Sequence, residues 1–263
     1  MATLSAVLIV KNEALILAEC LSLLAWVDEI VVLDGGSEDD SVAIARRYTD
    51  KVFVESDWQG FGVQRQRAQQ HATGDWIFMI DADEHVTPEL RQAIEATVVA
   101  NQQQNVYLVP ILPWCFGRFI RHSGWYPEHK IRLYPRCKAR YGDHRVHEKL
   151  ILDEGVQKHY LKGDLLHFTY RDMKHYLVKS ANYADEWAQE RQQKGRRATL
   201  FQALIHGVGC FIKMYLVKRG FLDGPQGFLL ALLSAHSTFV KYADLWSRAQ
   251  PAAPAAKAVK SPR

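Results

Sequence analysis

The chain has 263 residues, 48% hydrophobic and 24% charged, an ordinary globular composition that allows one large domain or a domain with an appendage. Its net charge of +4 is mild, so where the charge sits matters more than its sum. Cys20, Cys115, Cys137 and Cys210 are scattered without a Cys-x-x-Cys pair, which argues against a zinc ribbon or a disulfide framework and for a reducing compartment.

The first apolar run, Ala6 to Val10, reads as a buried strand and is too short for a signal peptide, so a cytosolic protein is expected. Residues 12–24 carry Leu15, Ile16, Leu17, Cys20, Leu21 and Leu24 near a helical period. A second strand over 30–33 runs into the turn Asp34-Gly35-Gly36-Ser37, followed by a helix over 38–48, a strand over 52–54 and a helix over 64–72. Residues 76–80 (Trp-Ile-Phe-Met-Ile) have no polar partner on either face and predict a strand buried on both sides. That strand ends in Asp81-Ala82-Asp83-Glu84, where an extended chain would turn Asp81 and Asp83 to the same face. Thr87 is a candidate N-cap, with Pro88 at the first position of a helix reaching about Asn101. Strands alternating with helices predict a doubly wound, mostly parallel α/β sheet over residues 1–110.

Residues 113–170 are rich in Trp, Tyr, His and Arg, with short and partly antiparallel strands at 130–134, 150–152 and 165–170, and suggest an acceptor-side half. Helices follow over 172–194, 200–217 and 228–246. The expected organisation is a catalytic domain over 1–170, divided at about 110, a helical region over 171–248 and a disordered tail over 249–263.

Open α/β sheets bind ligands at the carboxyl edge of their strands, where this sequence places Asn12-Glu13, Asp34-Gly35-Gly36-Ser37 and Asp81-Ala82-Asp83. Converging carboxylates repel unless a hard cation sits between them and a phosphate-bearing ligand; the alternative is a strand end capped by solvated acids. Neither Gly-x-Gly-x-x-Gly nor a Walker loop is present, which argues against a dehydrogenase and an ordinary NTPase. The Gly60-Phe61-Gly62 loop brings Arg65 and Arg67 to a helix start, facing either a diphosphate or solvent. Glu148 is a candidate general base, and His147 a candidate metal ligand or a group that orients Glu148. A zinc site through His144 and His147 lacks further ligands nearby.

Lys11-Asn12-Glu13, Asp34-Gly35-Gly36-Ser37 with Asp39-Asp40-Ser41, Gly74-Asp75-Trp76 leading to Asp81-Ala82-Asp83-Glu84, and His147-Glu148 together resemble family 2 glycosyltransferases of the GT-A fold. Gly124-Trp125-Tyr126-Pro127, Arg132-Leu133, Lys179 and Arg219-Gly220-Phe221-Leu222-Asp223-Gly224 narrow the likeness to the lipopolysaccharide-core β-1,4-glucosyltransferases, over about residues 4–246. The resemblance implies inverting transfer of glucose from UDP-glucose, with Mg²⁺ or Mn²⁺, to an inner-core heptose of lipopolysaccharide at the cytoplasmic face of the inner membrane. It implies that Asn12, Glu13 and Asp34 meet the nucleoside, Arg65 the diphosphate, Asp81 the ribose or the groups behind it, and Asp83 the metal. Glu148 then takes the acceptor-hydroxyl proton. Many relatives carry Asp-Asp-Gly-Ser where this chain has Leu33-Asp34-Gly35-Gly36-Ser37, which leaves the base contact to Asp34 alone.

Trp125, Tyr126 and Arg132 are candidate acceptor contacts, since aromatic faces suit sugars and cations suit core phosphates; core packing explains the two aromatics equally well. From Arg191 to Leu222 there are seven Lys or Arg and no acid, and Phe201, Ile205, Val208, Ile212 and Leu216 form one apolar stripe. That pattern fits a helix lying on an anionic membrane, or two helices packing together; Gln202, His206 and Lys213 argue against a spanning segment. Nucleic-acid binding is not expected, because the basic stretch lacks interleaved exposed aromatics. A sugar-1-phosphate nucleotidyltransferase, which would want a Gly-rich loop near residue 10, and a non-catalytic membrane scaffold are the competing readings.

Overall fold

The computed structural model describes residues 1–142, 150–170 and 172–250. It divides into two compact units, one of Met1–Arg121 with Trp125–Thr169, the other of His122–Gly124 with the chain from Tyr170 onward. The expected tail from 251 lies outside the described residues.

The first unit runs β1 (Leu4–Val10), α1 (Ala14–Ser22), β2 (Glu29–Asp34), α2 (Ser41–Ala45), β3 (Val52–Val54), α3 (Phe61–Gln70), β4 (Trp76–Met79), β5 (Glu84–Val86) and α4 (Pro88–Ala100). It continues through β6 (Asn105–Cys115), β7 (Arg118–Phe119), β8 (Glu128–Pro135), β9 (Ala139–Tyr141), β10 (Leu150–Leu152), β11 (Gln157–Tyr160) and β12 (Leu165–His167). The main sheet has the order β3-β2-β1-β4-β8-β6-β12-β5, with β7 and β11 also paired to β6. β3, β2, β1 and β4 are mutually parallel, and β8 enters antiparallel between β4 and β6. This is the doubly wound, mostly parallel sheet of the GT-A type that the sequence predicts.

β4 is central because both its faces are apolar. Trp76, Phe78 and Ile80 join the core packed by α1 and α4, while Ile77 and Met79 join the core on the α3 side. Full burial of such side chains contributes roughly 1.5–3 kcal/mol each, which anchors the strand whose end carries the acids. α4 is capped as its sequence predicts, the Thr87 side chain accepting from Leu90 N and Asn101 closing the helix in the left-handed region. The chain passes this cap at Gly163 (φ +86), where a Cβ would stand 2.2 Å from Leu90 N, so only glycine fits.

Three elements differ from expectation for local reasons. The helix expected over 38–48 shrinks to α2 because Asp39 and Ser41 bond to each other and to the neighbouring loop. α3 starts three residues early because Gly60, at φ 111, makes the turn into it. β6 runs over 11 residues where the apolar pattern predicts a strand over 106–111 only, with Pro110 and Pro113 inside it.

The second unit contains α5 (Met173–Gln193), α6 (Leu200–Phe211), a π-helical continuation over Ile212–Val217, a 3₁₀ turn at Gly220–Asp223 and α7 (Gly224–Ser247). Thr199 and Gln202 form a reciprocal cap at the start of α6. α6 and α7 touch closely at Gly207, whose absent Cβ would sit 3.2 Å from Ala235 O. Asp223 is buried and accepts from His122 N (2.9 Å) while its other oxygen lies 3.0 Å from His122 Nδ1.

Candidate active site

The loops after β1 and β2 are stitched together at the carboxyl edge of the sheet. Asn12, in the left-handed region at φ 57, donates its N–H to Ser37 Oγ (2.8 Å) and accepts from Glu38 N at Oδ1 (2.8 Å). Glu13 N donates to Ser41 Oγ (2.8 Å), and Gly35 N to Val10 O (2.8 Å). Asp34 is fully buried: Oδ1 accepts from Gly36 N and Ser37 N, and Oδ2 from the Ser37 hydroxyl. Asp34 thus spends its oxygens on shaping the turn. Trp58 is an exposed aromatic beside that turn: its Cε3 would stand 3.5 Å from a Cβ on Gly35, and its ring packs edge-on against Phe61 at 4.9 Å. Sequence reading passed over Trp58 because it lies outside every motif.

Beyond β4 the chain does not stay extended. It turns at Ala82-Asp83, closed by Glu84 N donating to Asp81 O (3.0 Å), and so Asp81 and Asp83 acquire different partners. Asp81 Oδ1 accepts from Arg65 Nη2 (2.7 Å) and Oδ2 from Arg132 Nη2 (2.8 Å). Arg132 also pairs with Glu84, whose second oxygen accepts from Asp81 N at 3.0 Å. Desolvation pushes the Asp81 carboxyl up, but the two guanidiniums outweigh it and hold the group far below the ordinary carboxylate range. Burial raises Glu84, with Asp81 and Asp83 adding to it against the pull of Arg132. Beneath this turn the Cys20 thiol faces Glu84 O (3.6 Å) and Asp81 O (3.7 Å), and burial pushes its pKa up, so it stays protonated and donates.

One expectation is corrected here. Arg132, placed on the acceptor side from its sequence, is 4% exposed and committed to Asp81 and Glu84; it positions the acidic turn rather than meeting a substrate. Arg65 is 5% exposed, lies behind Asp81 and stacks over Tyr141 at 5.9 Å. Tyr126 and Trp125 are half-buried, with the Tyr126 hydroxyl donating to Asp164 (2.8 Å). Glu148 and His147 lie outside the described residues.

Asp83 faces a different residue from any the sequence suggested. Its Oδ2 is 3.2 Å from His167 Nε2, the last residue of β12, and its carbonyl accepts from Phe168 N (2.8 Å). Both side chains keep an open edge, 29% exposed for Asp83 and 21% for His167. Burial lowers the His167 pKa, but Asp83, with Glu84 and Asp81 behind it, outweighs that and leaves it raised. The carboxylate is a donor that suits Mg²⁺ and Mn²⁺, whereas a neutral imidazole suits transition metals better than Mg²⁺. Among the described residues no group of three or more His, Cys, Asp or Glu is placed to hold a metal.

The loops at the carboxyl ends of the parallel strands thus carry an aromatic beside a glycine turn and a carboxylate–imidazole pair beyond the central strand, the edge at which open α/β sheets bind their ligands. The family model for glycosyl transferase family 2 matches residues 5–153, and the chain belongs to that family. A lipopolysaccharide core biosynthesis glycosyltransferase, LpsC, from Rhizobium meliloti is 29% identical over 93% of this chain and 92% of its own length. An uncharacterized glycosyltransferase from Rickettsia felis is 28% identical over 93% of this chain and 90% of its own. Among solved structures, a Mycobacterium tuberculosis glucosyl-3-phosphoglycerate synthase in complex with Mn²⁺ and UDP-glucose is 23% identical over 43% of this chain and 44% of that one, with a TM-score of 0.35. The protein is a family 2 glycosyltransferase related to an enzyme of lipopolysaccharide core biosynthesis.

Proposed function

We propose that the protein transfers glucose from UDP-glucose, with inversion, to an inner-core heptose of lipopolysaccharide in β-1,4 linkage. The observation that carries this reading is the Asp83–His167 pair, held open beyond the central strand while Asp81 is locked behind it by Arg65 and Arg132. The acceptor class is supported by the full-length likeness to LpsC, and the donor by the motif resemblance of the sequence.

In this reading the uracil lies on Trp58 beside Gly35, with Asn12, Glu13 and Asp34 fixing the turn that receives it. The diphosphate lies towards Asp83 and His167, with the fixed positive charge of Arg65 and Arg132 behind the turn. A divalent cation bound there would neutralise charge developing on the leaving UDP. Glu148 takes the proton from the acceptor hydroxyl as that oxygen attacks the anomeric carbon from the face opposite UDP, so one displacement inverts the centre. Trp125 and Tyr126 contribute to the acceptor side.

The test is a panel of nucleotide sugars against truncated lipopolysaccharide acceptors with Mn²⁺ or Mg²⁺, the product linkage read by NMR. A β-1,4-glucosyl heptose made from UDP-glucose supports the reading. Turnover of another donor alone corrects the substrate, and no turnover with no calorimetric UDP binding refutes the assignment.

A further inference from the structure

The second unit leaves a large apolar surface open. Phe201, Leu204, Ile205, Val208, Ile212 and Leu216 are all exposed, Phe201 by 70%. At 100° per residue they fall within an arc of roughly 120°, one side of the α6 helix and its π continuation. The opposite side is occupied: Ala203, Gly207 and Met214 are buried, and Gly207 meets α7. The open side continues onto Phe221 and Phe228, through ring contacts of Tyr215 with Phe221 (6.2 Å) and Phe228 (5.6 Å). An apolar area of this size needs an occupant.

Its rim is of one sign. Lys194, Arg196 and Arg197 precede the run and Lys213, Lys218 and Arg219 accompany its end, all exposed, with no acid between Arg191 and Leu222. The next acid, Asp223, is buried against His122. A second copy of the same surface would bring like charges together around the apolar contact, whereas an anionic lipid surface complements both features at once.

By length and composition the run Leu200–Val217, with a mean hydropathy of 1.5, is sufficient to cross a membrane. Its partner helix is not. α7 lies alongside it, with Tyr242 stacked on His206 at 4.2 Å and Phe228 against Phe211 at 5.8 Å, so crossing would carry His236 and Lys241 into hydrocarbon.

We propose that the exposed side of the Leu200–Val217 run, with its basic rim, docks in the plane of an anionic lipid bilayer without crossing it. This deepens the reading above, because an acceptor built on a lipid is met at such a surface, and it rests on that reading only for the acceptor's identity. Docking keeps the enzyme on the surface that carries such acceptors and raises their effective concentration.

Flotation of the full chain with vesicles of phosphatidylcholine alone, or with about 30% phosphatidylglycerol, tests this at low and high salt. The expected result is binding to anionic vesicles at low salt, weakened at high salt. Phe201→Glu with Val208→Glu should lower the partition coefficient about tenfold or more, with helix content by circular dichroism unchanged. Lys213→Glu with Lys218→Glu should remove the preference for anionic lipid. Failure of the wild-type chain to float overturns the proposal, as does a dimer in solution abolished by Phe201→Glu while vesicle binding persists. Retention through an alkaline carbonate wash overturns the in-plane placement. UDP binding measured calorimetrically on the same sample reports separately on the sugar-transfer reading.

Discussion

His167 Nε2 stands 3.2 Å from Asp83 Oδ2, although 84 residues separate the two in the chain. The sheet makes this meeting: β12 pairs antiparallel with β5, His167 opposite Glu84, which sets the end of β12 beside the acidic turn.

Replacement of Asp83 by Ala should cut sugar transfer from the proposed donor by about 10²-fold or more with the fold intact, since the cation that Asp83 would hold could no longer neutralise charge developing on the diphosphate. His167→Ala should raise the Mn²⁺ concentration for half-maximal rate by roughly 10–100-fold, whether the imidazole binds the ion or orients Asp83. Metal titration of the rate, and of UDP affinity by calorimetry, checks both. An unchanged metal dependence in the His167 variant removes that residue from the site.

Trp58 should act on donor binding alone. Loss of one base–aromatic stack is worth about 1–3 kcal/mol, so Trp58→Ala should raise KM for UDP-glucose about tenfold while kcat stays within about twofold. The variant Trp58→Phe should recover most of the loss. A fall in kcat with KM unchanged would place Trp58 away from the base.

The parts of the site made within one stretch were legible in the sequence. β4 announced itself because a strand buried on both faces cannot alternate, and Asp34-Gly35-Gly36-Ser37 is a turn that closes on its own side chains. What escaped is what only the sheet assembles. His167 ends a three-residue strand with no motif around it, and Arg132 reads locally as an acceptor-side cation, because only β8 entering antiparallel beside β4 brings it to Asp81 and Glu84. Pro110 and Pro113 argue locally against a continuous strand, yet β6 runs through both. Asp81 and Asp83 share a face only in an extended chain, and the turn at Ala82-Asp83 separates them.

Acid sensitivity of the first unit should trace in part to Glu29. Burial pushes this carboxyl up, but the ion pair with Lys51 and the hydrogen bonds from Ser5 and Thr73 outweigh it and lower its pKa to about 2 from 4.5. Between those values the unfolded chain binds the proton and the folded chain does not. Stability supplied by Glu29 is therefore complete above about pH 4.5 and is lost as the pH falls towards 2. Urea midpoints at pH 6 should show Glu29→Gln less stable than wild type, with the gap narrowing by pH 3. A constant gap would mean that Glu29 acts by shape rather than charge.

Arg132 should prove a positioning residue whose loss is felt in both fold and rate. It is inside the protein with Asp81 and Glu84 on its guanidinium, and its Nε has no hydrogen-bond partner among the described residues, so packing as well as charge holds it there. Removing one member of such a buried group costs about 3–5 kcal/mol, because the carboxylates left behind are uncompensated. Arg132→Met should therefore lower Tm by roughly 10 °C, at about 2–4 °C per kcal/mol for a unit of this size. Arg132→Lys keeps the charge without the fork that reaches two carboxylates, and should recover part of the stability. In the lysine variant kcat should fall further than KM rises, since the donor face at Trp58 is untouched while the turn carrying Asp83 is loosened. Full activity in a stable Arg132→Met variant would show that the turn keeps its shape without this anchor.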